Sequence, residues 1–193
     1  LFQEHRFVHA DNESIRSLTL PDAYAVQQMV IDARTGSGEQ VAGYKVGCTS
    51  EAIRRQFGLS EPICGQLMTP HVTYGNAVLN HSDYFDCAVE PEFVLMIGRD
   101  LADEVGDEDD LTAAIDFVSP GIELHNYRFW FGEPTSQELI ASNGIHAGLV
   151  VGNQKTSPGS FDWDEEEVGI FIGDKRAALG HGREIMGGPM KSL

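Results

Sequence analysis

The stretch of residues 88–98, an apolar run interrupted by Glu90, Pro91 and Glu92, places the tightest constraint on how this chain can fold. In a β-strand the side chains alternate between two faces, so Glu90 and Glu92 would project from the same face. Pro91 cannot donate a hydrogen bond to a neighbouring strand, which favours a sheet edge, a strand end or a bulge. Two carboxylates this close repel each other unless one is protonated or a cation lies between them. The stretch therefore predicts a strand with either a solvated acidic face or a divalent-cation site.

The rest of the pattern predicts an α+β fold that is mainly β. Thr19, Pro21 and Asp22 mark the start of a helix whose periodic apolar segment covers residues 23–34 and stops at Gly36. Further helices are predicted at 51–57 and 108–117, and strands at 41–48, 77–79, 88–97, 121–124, 148–151 and 168–172. Because strands outnumber helices and no regular helical crossovers join them, a doubly wound fold is disfavoured.

Length and composition limit the function classes. A chain of 193 residues fits one domain, expected at residues 18–193 after an aperiodic N-terminal arm at 1–17. Thirteen Lys and Arg against thirty Asp and Glu give a net charge of −17, which disfavours nucleic acid as a partner. The longest uncharged apolar run, residues 93–98, is far shorter than the roughly 20 residues of a membrane helix. Three cysteines without a CxxC pair suit a reducing compartment, so we expect a soluble cytoplasmic protein.

Two further charged residues lie in apolar, strand-like segments. Glu123 needs a partner, because burying an unpaired carboxylate is expensive. Glu90, Glu92 and Glu123 with several waters would suit Mg²⁺ or Mn²⁺ in octahedral geometry, leaving positions for a bidentate 2-oxo acid. Lys45, in a segment flanked by glycines, could pair with a substrate carboxylate or transfer protons, or it could be a surface lysine with a packed stem.

Several of these residues stand in ordered motifs that resemble the 2-keto-4-pentenoate hydratase and 4-oxalocrotonate decarboxylase branch of the fumarylacetoacetate hydrolase superfamily. The motifs, in chain order, are residues 43–47, 61–65, 89–92, 98–101 and 114–124, then Arg128, Asn143 and the Gly-Pro at 188–189. The resemblance covers residues 20–193 and implies a mixed β-roll or flattened barrel with a few peripheral helices. Family members continue past this Gly-Pro with a helix and closing strands, so the C-terminal part of the family fold is expected to be missing.

The resemblance also implies an activity, that of a metal-dependent lyase of aromatic catabolism acting on a small 2-oxo acid. Glu90, Glu92 and Glu123 would hold Mg²⁺ or Mn²⁺, Lys45 would contact the substrate or transfer protons, and Asn143 would line the substrate pocket. We place a hydratase, which adds water to a 2-hydroxy-alkadienoate, above a 4-oxalocrotonate-type decarboxylase. An acylpyruvate hydrolase and a non-catalytic partner subunit rank lower. A homo-oligomer, or a complex with a cognate decarboxylase or hydratase, is the implied assembly.

The histidines depart from the family pattern. After Asn143 the chain continues Gly-Ile-His, where relatives carry small hydroxyl residues. His146 is either a capped loop histidine, the interpretation we favour, or a substrate-binding group that replaces the lost hydroxyl. His71 is expected in a loop, and His125 is expected to point to the strand face opposite Glu123.

Overall fold

A computed structural model describes residues 13–101, 108–127, 132–160 and 162–193. The helices are α1 (Glu13–Arg16), α2 (Leu20–Gly36), α3 (Glu51–Gln56), α4 (Glu108–Ala114) and α5 (Ser136–Ala141). The strands are β1 (Val41–Gly47), β2 (Ile63–Met68), β3 (Val72–Tyr74), β4 (Cys87–Ile97), β5 (Ile115–Asn126), β6 (His146–Val151), β7 (Glu167–Ile172) and β8 (Lys175–His181). This mixture of sheets with a few helices confirms the predicted α+β class.

The largest sheet among the described residues has four strands, in the order β3-β6-β5-β4. Strand β5 pairs antiparallel with both β4 and β6, and β3 pairs parallel with β6. Strand β4 is at the edge of this sheet, a position where a proline is tolerated, which confirms the prediction drawn from Pro91. Strands β1 and β2 form a separate antiparallel pair, as do β7 and β8.

Helix α2 begins where the sequence predicts. The Thr19 hydroxyl accepts a hydrogen bond from the backbone N–H of Asp22 at 3.3 Å, and a proline stands in the first turn. The helix packs against α5, and its buried Gln27 donates to the carbonyl oxygens of Ile140 at 2.9 Å and Cys64 at 3.1 Å. These bonds tie α2, α5 and β2 together around an apolar cluster of Ala23, Leu59, Ile63, Leu139, Ile140 and Ile145.

The last residues of the predicted arm form α1, and residues 1–12 lie outside the described part of the chain. Arg16 Nε donates to Oε1 of the fully buried Glu138 at 2.9 Å. Glu138 Oε2 also accepts from the backbone N–H of Thr135 at 2.8 Å, completing the capping box of α5. Within the described residues, no helix combines the length and apolarity needed to cross a bilayer.

Several element predictions are wrong. The helix predicted at 108–117 ends at Ala114, and strand β5 starts at Ile115 because that residue pairs with Ile97 on β4. Residues 77–79 pair with no strand in the described structure, although their composition favours one. Helix α5 and strands β2, β3 and β8 were not predicted from the sequence.

Candidate active site

The register of β4 and β5 determines where the three glutamates lie. Glu90 is paired directly with Glu123, while Glu92 is opposite Gly121. Directly paired residues of antiparallel strands project from the same face, so all three carboxylates share one face of the sheet. Glu123 is buried, Glu92 is partly buried and Glu90 is exposed.

Glu123 is the centre of a buried polar cluster. Its Oε1 accepts hydrogen bonds from Lys45 Nζ and, at 2.7 Å, from His146 Nδ1, while His125 Nε2 lies 3.1 Å away. The side chains of Lys45 and His146 are only 10% and 4% exposed. Because an ionised carboxylate only accepts hydrogen bonds, we assign the proton of the neutral His146 ring to Nδ1. The charge of Glu123 is thus compensated inside the protein.

The local electrostatics separate Glu123 from Glu92. Burial alone would raise the pKa of Glu123, but polar contacts from His125 and His146 and the charge of Lys45 outweigh it and hold that pKa well below its ordinary range. Burial, followed by repulsion from Glu123 and Glu90, raises the pKa of Glu92 to about 8, against a weaker opposing effect of Lys45. A carboxylate that stays ionised therefore lies close to one that keeps its proton when no cation is present.

Two glycines allow Lys45 to reach Glu123 from the other sheet. Lys45 pairs with Gly65 in the β1–β2 ladder, where an added Cβ would lie 3.0 Å from Lys45 Cγ. At Gly144 an added Cβ would lie 3.0 Å from Lys45 Nζ. Side chains at either position would crowd the lysine, so its path across the gap depends on both glycines.

Asn143 joins the loop after α5 to strand β2. Its Oδ1 accepts from the backbone N–H of Gln66 and its Nδ2 donates to the Gln66 carbonyl, both at 2.8 Å. The side-chain amide of Asn143 thus satisfies both backbone groups of Gln66, as a neighbouring strand would. The predicted contact of Asn143 with substrate stays a prediction.

His146 lies at the start of β6 and is buried, so the favoured interpretation as a loop histidine is wrong. The register between β5 and β6 shifts by one residue, from Leu124 opposite Gly148 to His125 opposite His146. Leu149 pairs with Glu123, so these two side chains share one face of the sheet. His146 is three residues before Leu149, and regular alternation would place it on the other face. The irregularity turns the ring toward Glu123 instead, as bulges near functional sites commonly do.

The segment that leads into β6 is strained. Asn143, Gly144 and Ile145 have φ values of 60°, 69° and 53°. A buried β-branched residue such as Ile145 rarely adopts this left-handed conformation, which persists only where surrounding contacts enforce it. The strained segment holds Asn143 on β2, brings Gly144 against Lys45 and delivers His146 to Glu123.

His125 shares the face of Glu123, so the expectation that it points away is wrong. Residues two apart in a strand project to the same side, and this alternation alone would have identified His125. Its Nδ1 lies 3.7 Å from Glu90 Oε1. Glu90, Glu123 and His125 each offer a ligand atom within 4.8 Å of the others, a group that does not include Glu92 among the described residues.

Two further predictions concern His71 and Arg128. His71 is in a short 3₁₀ turn, Thr69–His71, between β2 and β3. Burial is the main cause that lowers the pKa of its ring, and the charges of Arg34 and His146 lower it further. Arg128, which belongs to the resemblance, lies outside the described residues.

The fold is similar to that of a bacterial metal-binding decarboxylase. A structure of 4-oxalocrotonate decarboxylase from Pseudomonas putida G7, complexed with magnesium and adipate, matches 100% of this chain and 73% of that chain with a TM-score of 0.90 and 23% sequence identity. A second structure of that enzyme, complexed with calcium and acetate, matches with a TM-score of 0.88 at the same coverage and identity. At this identity the likeness defines the fold class.

Sequence similarity identifies relatives with related names. The chain is 27% identical to 2-keto-4-pentenoate hydratase 1 of Dechloromonas aromatica over 88% of its own length and 65% of that protein's. It is 27% identical to a 2-hydroxyhexa-2,4-dienoate hydratase of Comamonas testosteroni, covering 91% of this chain and 67% of the relative. It is 28% identical to a 4-oxalocrotonate decarboxylase of a Pseudomonas species, covering 92% and 68%.

These relatives confirm the predicted resemblance to the hydratase and decarboxylase branch. The chain spans 65% of the length of the first hydratase, which is slightly less than two thirds. No family model matches the chain.

Proposed function

We propose that this chain belongs to a divalent-metal-dependent hydratase that adds water to a 2-hydroxy-alkadienoate or its 2-oxo-alkenoate tautomer. The observation that carries the proposal is the convergence of Glu90, Glu92 and Glu123 on one sheet face, with Lys45 bound to Glu123. Relatives named as hydratases of such dienoates support the substrate class. The proposal includes a cytoplasmic location in aromatic catabolism, a family-type β-roll and a homo-oligomer or hydratase–decarboxylase complex.

The residues fit a divalent cation. Glu90 and Glu123 offer oxygen ligands close together, and the raised pKa of Glu92 reflects, after burial, the repulsion of its two carboxylate neighbours. A bound Mg²⁺ or Mn²⁺ would neutralise this repulsion and stabilise negative charge on the 2-oxo group of the substrate. A cation held by Glu123 would share this carboxylate with Lys45 and His146, which both contact Oε1.

Lys45 is the proposed proton donor. In the hydration, the enol hydroxyl loses its proton while the far carbon of the conjugated chain gains one. Water then adds its oxygen to the neighbouring carbon, and the proton it loses is balanced by protonation of the carbon next to the 2-oxo group. The buried ammonium group of Lys45, held by Glu123, is suited to binding a substrate carboxylate or delivering the proton that the far carbon gains.

His146 is the proposed proton acceptor. Its Nδ1–H bond to Glu123 fixes the neutral tautomer, and burial lowers the pKa of the ring more than Glu123 raises it. Nε2 is buried and has no hydrogen-bond partner within the described part of the chain. An imidazole oriented by a carboxylate, with one nitrogen available, is a general-base arrangement that can deprotonate water. This supports the predicted placement of His146 at the substrate.

A decarboxylase is the second candidate, favoured by the 28% identical relative and by the structural similarity. The same cation and Lys45 would serve it, with loss of a distal carboxylate in place of water addition. The His146–Glu123 pair, whose members are 23 residues apart in the chain, also provides the water-activating dyad expected of an acylpyruvate hydrolase.

A comparison of substrates tests the proposal. The protein is incubated with Mg²⁺ or Mn²⁺ and 2-hydroxypenta-2,4-dienoate, 2-oxohex-3-enedioate or an acylpyruvate, and the ultraviolet absorbance of each is followed with and without excess chelator. We expect metal-dependent loss of the first compound with formation of a 4-hydroxy-2-oxo acid. Release of carbon dioxide from the second alone would instead identify a decarboxylase. Cleavage of the acylpyruvate would identify a hydrolase, and silence with all three would favour a non-catalytic subunit.

A further inference from the structure

We propose that His125 is itself a ligand of the divalent cation, so that the site combines an imidazole nitrogen with carboxylate oxygens. The inference rests on the cation site of the proposed function but not on the reaction catalysed there. It adds a residue to the three glutamates predicted from the sequence.

The distances fit a shared ion. Nitrogen and oxygen ligands lie about 2.0–2.2 Å from a transition-metal ion, so two ligands of one ion can be at most about 4.4 Å apart. His125 Nε2 is 3.1 Å from Glu123 Oε1, and His125 Nδ1 is 3.7 Å from Glu90 Oε1. The imidazole therefore lies beside both carboxylates, and one ligand atom from each of the three residues lies within 4.8 Å of the others.

The burial of His125 points to a ligand. The residue is 7% exposed, and its Nε2 has no hydrogen-bond partner among the residues that the structure describes. A buried polar atom without a partner costs free energy, and a cation bound to its lone pair would remove that cost. The atom lies next to the carboxylates that would bind the same ion.

A simple hydrogen bond to Glu123 does not explain the position of His125. Nε2 lies 3.1 Å from Glu123 Oε1, close enough to contribute to the low pKa of Glu123, but the ring nitrogen is not directed at that oxygen as a hydrogen bond requires. The same oxygen already accepts hydrogen bonds from Lys45 and His146, so a third donor is redundant. His125 Nδ1 is also too far from Glu90 for a direct hydrogen bond.

An imidazole ligand changes which metal the site prefers. Carboxylates and water suit Mg²⁺ and Mn²⁺, whereas imidazole strengthens the binding of later ions such as Co²⁺ and Zn²⁺. We therefore expect the variant His125→Gln to lose more affinity for Co²⁺ than for Mg²⁺. A site made of carboxylates alone would show no such difference.

Pulsed electron paramagnetic resonance of Mn²⁺ bound to the metal-stripped protein tests the ligand directly. We expect modulation from a coordinated ¹⁴N nucleus, which changes to a ¹⁵N pattern when the wild-type protein is made with ¹⁵N-histidine. His125→Gln should abolish the modulation and weaken Mn²⁺ binding at least tenfold. His146→Gln and His81→Gln, the latter at an exposed position, should keep it.

Two results would overturn the inference: bound Mn²⁺ without nitrogen coupling in the wild-type protein, or coupling that survives in His125→Gln. The labelled wild-type protein decides the first point even if the variant fails to fold. Absence of Mn²⁺ binding would remove both the inference and the cation site. A silent hydratase assay together with a retained nitrogen spectrum would reject the reaction but not the ligand.

Discussion

Among the acidic residues of the candidate site, Glu90 is the one whose substitution should affect cation binding with the least effect on folding. Its side chain is 59% exposed, so replacing the carboxylate by an amide leaves little buried structure to disturb. We expect Glu90→Gln to abolish metal-dependent turnover while the circular dichroism spectrum and melting curve of the chelated protein stay unchanged. Wild-type activity that persists in excess chelator would contradict the role of the cation.

Lys45 has a different expected profile. Because it is proposed to act on the substrate rather than on the cation, Lys45→Met should lower kcat by about 10²–10⁴-fold, the usual range for proton transfer. The Kd for Mn²⁺, measured by titration calorimetry, should change much less. Lys175→Met, at an exposed position of β8, is the matched control. A Lys45→Met protein with an unchanged rate would remove the lysine from the mechanism.

The raised pKa of Glu92 should make the stability of the metal-free protein depend on pH. Its pKa is about 8 in the folded state against an ordinary value of 4.5, so between these values the folded state holds a proton that the unfolded state has released. The stabilisation is fully present below about pH 4.5 and is lost as the pH rises through about 8. In excess chelator, Glu92→Gln should therefore melt above the wild type at pH 9.

The difference in melting temperature caused by Glu92→Gln should shrink toward pH 5, where the wild-type carboxyl is protonated as well. Glu167→Gln, at an exposed position of β7, should show no such trend. A difference that is largest at pH 5 would contradict the assignment.

At the scale of elements, the contact between the β1–β2 pair and the loop after α5 depends on Gly65. A Cβ there would lie 2.6 Å from Asn143 Oδ1, whereas a Cβ at Gly43 would meet nothing closer than Leu67 Cδ1 at 3.7 Å. Gly65→Ala should break the Asn143–Gln66 hydrogen bonds and cost about 1 kcal/mol of stability, because the groups left unpaired are only partly buried.

Gly43→Ala is the control for Gly65→Ala in the same ladder. Urea unfolding should show a lower midpoint for Gly65→Ala only, and its turnover should fall because Lys45 and His146 are held by the same loop. Equal midpoints for the two variants would show that Asn143 can move aside without loss.

Local sequence rules predicted the elements whose signals are local. The cap of α2 and the long apolar strand β4 with its edge proline follow from residue types and spacing alone. The boundary between α4 and β5 does not, because pairing with β4 overrides the helical pattern of residues 115–117. Strand β3 pairs with β6, which is distant in the chain, so no local pattern predicts it. Strand β8 instead pairs with the adjacent β7 across a two-residue turn, Gly173-Asp174, and this hairpin signal was overlooked.

Only the part of the candidate site that depends on the alternation of side chains along a strand could be predicted from the sequence. Glu90 and Glu92 on one face follow from the strand period, and so would His125 beside Glu123. The pairing of Glu90 with Glu123 depends on strand register, and the contact of Lys45 with Glu123 on how two sheets pack. The position of His146 depends on a register irregularity that no residue pattern in β6 reveals.

The net charge of −17 means that acidic groups repel one another in the folded protein, so cations raise its stability. Mn²⁺ at 100 times its Kd should stabilise the folded state by about 2.7 kcal/mol. This corresponds to a rise in Tm of about 5–10 °C for a chain of this size. NaCl at equal ionic strength only screens the repulsion between acidic groups, so its effect should be smaller.

The stabilisation by Mn²⁺ should disappear in Glu90→Gln, whereas the effect of NaCl should remain. Differential scanning fluorimetry of both proteins across the two salts provides the comparison. Equal shifts with Mn²⁺ and NaCl would mean that the cation acts through the overall charge and not at the site.

The lysine and the cation ligands belong to different sheets, and this separation has an evolutionary consequence. Under the proposed function, substitutions in β1 and β2 would change the proton transfer by Lys45 while the acidic residues of β4 and β5 would still bind the ion. The same fold could thus acquire a different reaction while its metal site stays unchanged. Strands β1 and β2 are therefore the segment to vary when a different reaction is engineered.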